Sequence, residues 1–245
     1  MFNFTWTYKL DSDIYYGYII VKDKDGNVIG PRANISWINI DDMLPINDNV
    51  KRKLDNKSIA AAWFVSNCHP YSKREEVLKM VIPELQKYNM SVDVYGKCGN
   101  TNYVCPKSDK CLEKLQKDYY FYFAFENSFS EDYVTEKLLR ALQNYAIPVV
   151  YGAADYKRFM PDGIYLSVTR NRESVVKLVK QMVEIIRDKN RYYDFFKWHN
   201  HYSYHEPEET AATDPYCSFC SFLNNINYNN VYTVDNFKEW WNPRT

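Results

Sequence analysis

Residues 119–151 read YYFYFAFENSFSEDYVTEKLLRALQNYAIPVVY, and this stretch decides the fold. Tyr119 to Phe125 is a run of strand length, aromatic at every position but Ala124, and Ile147 to Tyr151 is a second apolar run. Strands without polar alternation belong to sheets covered on both faces, the habit of parallel sheets. Asp132 to Tyr145, between them, reads as a helix. Strand, helix and strand thus follow one another within one short segment.

The alternation continues outward in both directions. Upstream, Ile59 to Ser66 is an apolar strand and Lys73 to Tyr88 a helix. That helix gathers Val77, Leu78, Val81, Ile82 and Leu85 on one face, with Pro83 as an expected kink or break. Ser91 to Tyr95 is a short strand, and Lys110 to Lys117 a short helix. Downstream come a helical turn at Tyr156 to Met160, a strand at Ile164 to Val168 and a helix at Glu173 to Arg187. The expected fold is α/β, a Rossmann-like parallel sheet with helices on both faces. Ligands of such sheets bind beyond the carboxyl ends of the strands. The loops at 66–74, 96–109, 126–133 and 151–155 are therefore where chemistry is expected. No Gly-x-Gly-x-x-Gly follows a strand and there is no P-loop, so the common dinucleotide and triphosphate fingerprints are missing. Residues 1–58 read as short strands and turns without a core of their own. Beyond about residue 198 the chain reads as irregular.

Charges balance at 31 basic against 31 acidic residues. No global field draws the chain to nucleic acid or an anionic membrane, so a phosphate site must be built locally. The 23 tyrosines and 6 tryptophans suit carbohydrate, whose C–H faces pack on rings, but codon bias toward Asn, Lys and Tyr gives the same excess. No apolar window reaches the length of a membrane span, and the first residues do not resemble a signal peptide. Sequons at Asn3, Asn34, Asn56 and Asn89 point weakly to a secretory compartment. The six cysteines, Cys68, Cys98, Cys105, Cys111, Cys217 and Cys220, point the same way if they form disulfides. A zinc site and plain buried thiols are the competing readings.

The candidate site is the junction Glu126 to Lys137. A helix N-terminus offers free N–H groups and a partial positive charge, which receive a pyrophosphate. Lys137 adds a point charge, and Glu136 can accept from two vicinal hydroxyls. Asn127 donates and accepts at once. A plain capped helix, with Ser130 or Asp132 as the cap, explains the same residues without a ligand.

The run F-E-N-S-x(4)-Y-V-T-E-K-L at 125–138, then I-P-V-V-Y-G at 147–152 and D-Y-x-R-F-x-P at 155–161, resembles the donor-site signature of the α1,3-fucosyltransferases, glycosyltransferase family 10. Phe2 to Ile14 (FNFTWTYKLDSDI) resembles the FNWTxxYRxDSDI segment of that family. Ala62 to Cys68 with Arg74 resembles its strand-and-arginine element. The Ser66-Asn67-Cys68 form and the turn at Gly96 to Gly99 look most like invertebrate enzymes that fucosylate the N-glycan core.

The resemblance implies the C-terminal, donor-binding half of a GT-B fold. Residues 1–58 would be a remnant of the acceptor domain, 59–205 the GDP-fucose-binding domain, and 206–245 a tail with the CxxC. It implies that Arg74 and Lys137 pair with the diphosphate and that Glu136 accepts from ribose or fucose hydroxyls. Asn127 and Tyr133 would line the donor pocket. Glu126 either orients that pocket or is a structural strand-end carboxylate, while Arg74, flanked by Lys73, Glu75 and Glu76, has an exposed helix position as its alternative. The implied reaction moves fucose from GDP-fucose to the 3-hydroxyl of an N-glycan GlcNAc, with inversion and without a required metal. The general base is expected upstream of this chain, and so is the anchor of a Golgi type II membrane protein facing the lumen. The family pairs its late CxxC with N-terminal cysteines, which would leave Cys217 and Cys220 unpaired here. The competing reading is a GDP-fucose-binding fragment or pseudoenzyme without turnover.

Overall fold

A computed structural model describes residues 3–99, 109–225 and 237–241. Strands β1 (Trp6–Thr7) and β2 (Ile14–Tyr15) pair in parallel, and β3 (Ile20–Asp23) and β4 (Val28–Gly30) pair antiparallel. Helix α1 (Asp48–Leu54) follows, then β5 (Ile59–Phe64), α2 (Arg74–Gln86), β6 (Val92–Tyr95), α3 (Asp109–Asp118) and β7 (Tyr119–Phe125). Next come α4 (Glu136–Gln143), β8 (Ile147–Tyr151), β9 (Leu166–Ser167), α5 (Arg172–Arg187) and α6 (Lys189–Asp194). The chain continues through β10 (Tyr202–His205), α7 (Pro215–Asn225) and α8 (Phe237–Trp241).

The main sheet has the order β6-β5-β7-β8-β9, every pair parallel. Both faces of the central strands β5, β7 and β8 are covered, which is why these three carry no polar alternation. Trp63, Phe121, Phe123, Phe125 and Val149 pack with the apolar stripes of α2 and α5. Ala62, Tyr122, Ala124 and Val150 face the other way, onto α4 and a small sheet of order β10-β3-β4. That small sheet joins residues 20–30 to residues 202–205, so the N-terminal segment shares its packing with the end of the α/β unit. Pro83 sits inside α2 without ending it.

From β5 the chain moves to one side of the sheet, to β6, and then crosses back to place β7 on the other. The strand order therefore reverses between β5 and β7. A crevice opens at such a point, between the loops that leave the two strands.

Below α4, His199 stacks on Trp198 at 3.7 Å and on Tyr145 at 4.7 Å between centroids. Its Nε2 is buried without a hydrogen-bond partner. Burial, with Lys53 nearby, pushes this imidazole from 6.5 down to about 3. Between those values the unfolded chain holds a proton that the native chain refuses. Stability owed to neutral His199 is complete above pH 6.5 and falls as the pH approaches 3. Urea unfolding below pH 6 is expected to lose about 1 kcal/mol per pH unit from this group. His199→Phe should flatten the slope; an unchanged slope refutes the assignment.

Candidate active site

β7 ends at Phe125, and the next residue turns its side chain inward. Glu126 is 1% exposed, and its N–H continues the ladder to the Tyr151 carbonyl at 2.9 Å. Its carboxylate accepts from Thr135 N–H at 2.9 Å and from the Thr135 hydroxyl at 2.9 and 3.0 Å. It also accepts from Lys137 Nζ at 3.0 Å. Lys137 donates a further bond to Thr135 Oγ1 at 2.5 Å and lies 3.5 Å from Glu136 Oε1. Burial pushes the Glu126 carboxyl above the usual carboxylate range, against the pull of Lys137 and of the Thr135 bonds.

This arrangement sets the start of α4. Thr135 is the N-cap residue, yet its side chain makes no cap bond because Glu126 and Lys137 occupy it. The helix begins at Glu136, four residues later than the sequence predicts. Asp132 explains the delay. It has a left-handed φ of 57° and is buried, its carboxylate accepting from Leu10 N–H at 3.1 Å and Arg158 Nη1 at 2.8 Å. Glu131 accepts from Lys9 and Arg158 at 3.3 and 3.4 Å. The motif segments at 2–14, 125–138 and 155–161 thus converge on one turn. From the sequence alone Asp132 is only a possible cap and Lys9 and Arg158 have no role; the Arg inside D-Y-x-R-F is the signal that points to it.

Glu136 is the open carboxylate of the site, 41% exposed beside Arg140 at 3.6 Å. Burial raises its pKa, but Lys137 and Arg140 together pull it below the usual value, so it stays an acceptor. Tyr133 donates to Asn127 Oδ1 at 3.2 Å, and its ring meets Tyr8 edge-on at 4.9 Å. Burial and the Glu126 charge push its phenol up to about 12.

Arg74 occupies the first position of α2 and is 3% exposed. Nη1 donates to the Phe125 carbonyl at 2.6 Å and Nη2 to the Asn67 carbonyl at 3.3 Å, with the guanidinium 5.6 Å from the Trp63 ring centroid. It joins the loop after β5 to the end of β7, across the crevice, and is not an exposed helix residue. Ser72 reinforces the join, its hydroxyl donating to the Glu126 carbonyl at 2.7 Å and its N–H to the Asn127 carbonyl at 3.0 Å. The Cys68–Cys98 disulfide ties the loops after β5 and β6 together. Cys111 is also disulfide-bonded, Cys217 and Cys220 are free and exposed on α7, and Cys105 lies outside the described residues.

Six residues singled out in the sequence thus meet at the reversal of strand order, with Arg74 at the N-terminus of α2 and Lys137 at that of α4. A model of glycosyltransferase family 10 (fucosyltransferase), C-terminal part, matches residues 54–240. The chain belongs to this family. It is 35% identical over 244 residues to α-(1,3)-fucosyltransferase C of Drosophila melanogaster, covering 98% of this chain and 54% of that one. It is 40% identical over 146 residues to glycoprotein 3-α-L-fucosyltransferase A of the same organism, covering 58% and 28%. A crystal structure of an α1,3-fucosyltransferase with GDP-fucose aligns with 60% of this chain and 40% of that one, at 20% identity and a TM-score of 0.46. This fucosyltransferase-family chain spans about half or less of the length of these relatives.

Proposed function

We propose that the chain is the donor-binding part of an α1,3-fucosyltransferase of GT-B architecture. It takes GDP-fucose and serves transfer of fucose, with inversion, to the 3-hydroxyl of a GlcNAc residue on a glycoprotein N-glycan. The observation that carries this reading is the Lys137 ammonium, fixed by Glu126 and Thr135 at the start of α4. There it faces the region where a diphosphate leaving group gathers charge. A cation and helix N–H groups aimed at that charge stabilise the transition state more than bound donor. They supply leaving-group stabilisation without requiring a metal ion. Glu136 accepts from ribose or fucose hydroxyls, Asn127 and Tyr133 line the pocket, and Arg74 adds positive potential from beneath. No residue of this chain is assigned as the general base. Residues 59–205 form the donor-binding unit, 1–58 its link to the acceptor side, and 206–245 the tail. A Golgi-luminal location accords with the four sequons and with the Cys68–Cys98 disulfide, which needs an oxidising compartment.

Calorimetric titration of the purified chain tests the reading. Saturable GDP-fucose binding, tighter than that of GDP-mannose and unchanged by EDTA, is the expected result. A folded chain that takes up no GDP-fucose sinks it.

A further inference from the structure

The short turn Tyr156–Arg158, which supplies Arg158 to Asp132, also places a tyrosine beside the candidate site. Tyr156 is 8% exposed, and its phenol oxygen is buried without a hydrogen-bond partner. A hydroxyl left in that state is destabilising, and its presence calls for a reason. Gly152 shows what the phenol faces. A Cβ at this glycine would stand 2.5 Å from the Tyr156 oxygen and 3.5 Å from Glu126 Cγ. The phenol and the Glu126 side chain therefore border one small space, which stays open because residue 152 has no side chain. Burial and the Glu126 charge hold the phenol well above its ordinary pKa, so it keeps its proton to donate.

The far side of Glu126 shows what a spare hydrogen-bond donor is for. An ammonium has three hydrogens to give. Lys137 Nζ already has three partners: Thr135 Oγ1 at 2.5 Å, Glu126 Oε2 at 3.0 Å and Glu136 Oε1 at 3.5 Å. A phosphate oxygen that takes one of these hydrogens displaces a partner, and its charge repels both carboxylates. Glu136 is 41% exposed and has Arg140 and water to turn to. Glu126 is sealed in. Without the ammonium its Oε2 keeps only the Thr135 hydroxyl, whose single hydrogen Oε1 shares. A buried carboxylate short of hydrogen bonds is the costly outcome.

We propose that Tyr156 is a positioning residue, a reserve hydrogen-bond donor that closes onto the Glu126 carboxylate when Lys137 turns to the diphosphate. The proposal rests on the donor reading for the identity of that phosphate, and not for the exchange between Lys137 and Tyr156. The phenol acts through Glu126, not on the substrate. With it in reserve, the ammonium can lean toward phosphate without leaving a bare charge buried behind it.

Tyr156→Phe removes only the hydroxyl, and the test compares its effect in two backgrounds. In the parent chain the lost group had no partner, so urea unfolding should show a stability equal to the parent's or higher. In Lys137→Met the ammonium is gone and the phenol should already serve Glu126, so the same change should lower the folding equilibrium constant about tenfold. Tyr204→Phe removes another buried phenol without a partner, and as the control it should act alike in both backgrounds. A calorimetric GDP titration is the second measurement, and it serves even if Lys137→Met does not fold. Tyr156→Phe should bind GDP about tenfold more weakly than the parent while being no less stable. A hydroxyl with a merely structural role would lower stability in the parent and leave binding alone. Equal effects of Tyr156→Phe in the two backgrounds, or parental GDP affinity in a stable Tyr156→Phe chain, overturn the proposal. If the parent takes up no GDP, the donor reading fails and the unfolding comparison still decides the exchange.

Discussion

Glu126→Ala is expected to destabilise the folded chain by about 3–5 kcal/mol, the usual result of removing one partner from a buried ion pair. The reason is the depth of the pair. Glu126 is 1% exposed and Lys137 9%, so neither charge has water to fall back on. Without the carboxylate, the ammonium keeps only Thr135 Oγ1 and the more distant Glu136. The Thr135 N–H loses its acceptor as well, at the first turn of α4. Urea denaturation followed by circular dichroism measures the loss. Glu126→Gln retains an acceptor for Thr135 but removes the charge, and should be intermediate. A Glu126→Ala variant as stable as the parent would show that water enters the pair freely, and that Glu126 does not hold Lys137 in place.

Much of this was legible in the sequence, and the exceptions share one cause. β7 and β8 lie where the apolar runs predict them, because runs of 7 and 5 residues are of strand length and too short for a buried helix. The start of α4 was misplaced because the demand that sets it is remote. Asp132 leaves the helix to bind Leu10 and Arg158, and Thr135 gives up its cap bond to Glu126. β10 was missed in a tail that reads as irregular. Its Tyr202 and Tyr204 alternate inward as strand residues do, but their partner strand β3 lies some 180 residues away in the chain. The candidate residues were found by type and position, but not the bond between two of them. Glu126 and Lys137 are separated by a loop, and no local period links them. Arg74 is similar: charged neighbours suggest an exposed helix, yet α2 starts against the strand ends, so its first residue is buried while the Glu76 side chain is about half exposed.

Lys137 allows the structural and functional roles of the pair to be measured separately. Lys137→Ala is expected to lower GDP-fucose affinity by about 100-fold, since a charge-assisted contact to phosphate is worth roughly 1.5–3 kcal/mol and the empty site adds to the loss. The same change leaves Glu126 buried without its cation and destabilises the fold, so a loss of binding alone is ambiguous. The double variant Glu126→Gln with Lys137→Met removes both charges and fills the space. Buried pairs replaced by neutral groups of similar volume often recover stability. The double variant is therefore expected to unfold close to the parent while binding GDP-fucose as poorly as Lys137→Ala. A double-mutant cycle on the unfolding data should give a coupling of about 1–3 kcal/mol, and the cycle on binding should show Lys137 alone carrying the effect. If the double variant recovered affinity together with stability, the ammonium would be a structural partner of Glu126 and the diphosphate would have to be held elsewhere. If it recovered stability alone, the buried carboxylate would be the means by which a chain of zero net charge keeps one cation fixed where phosphate charge develops.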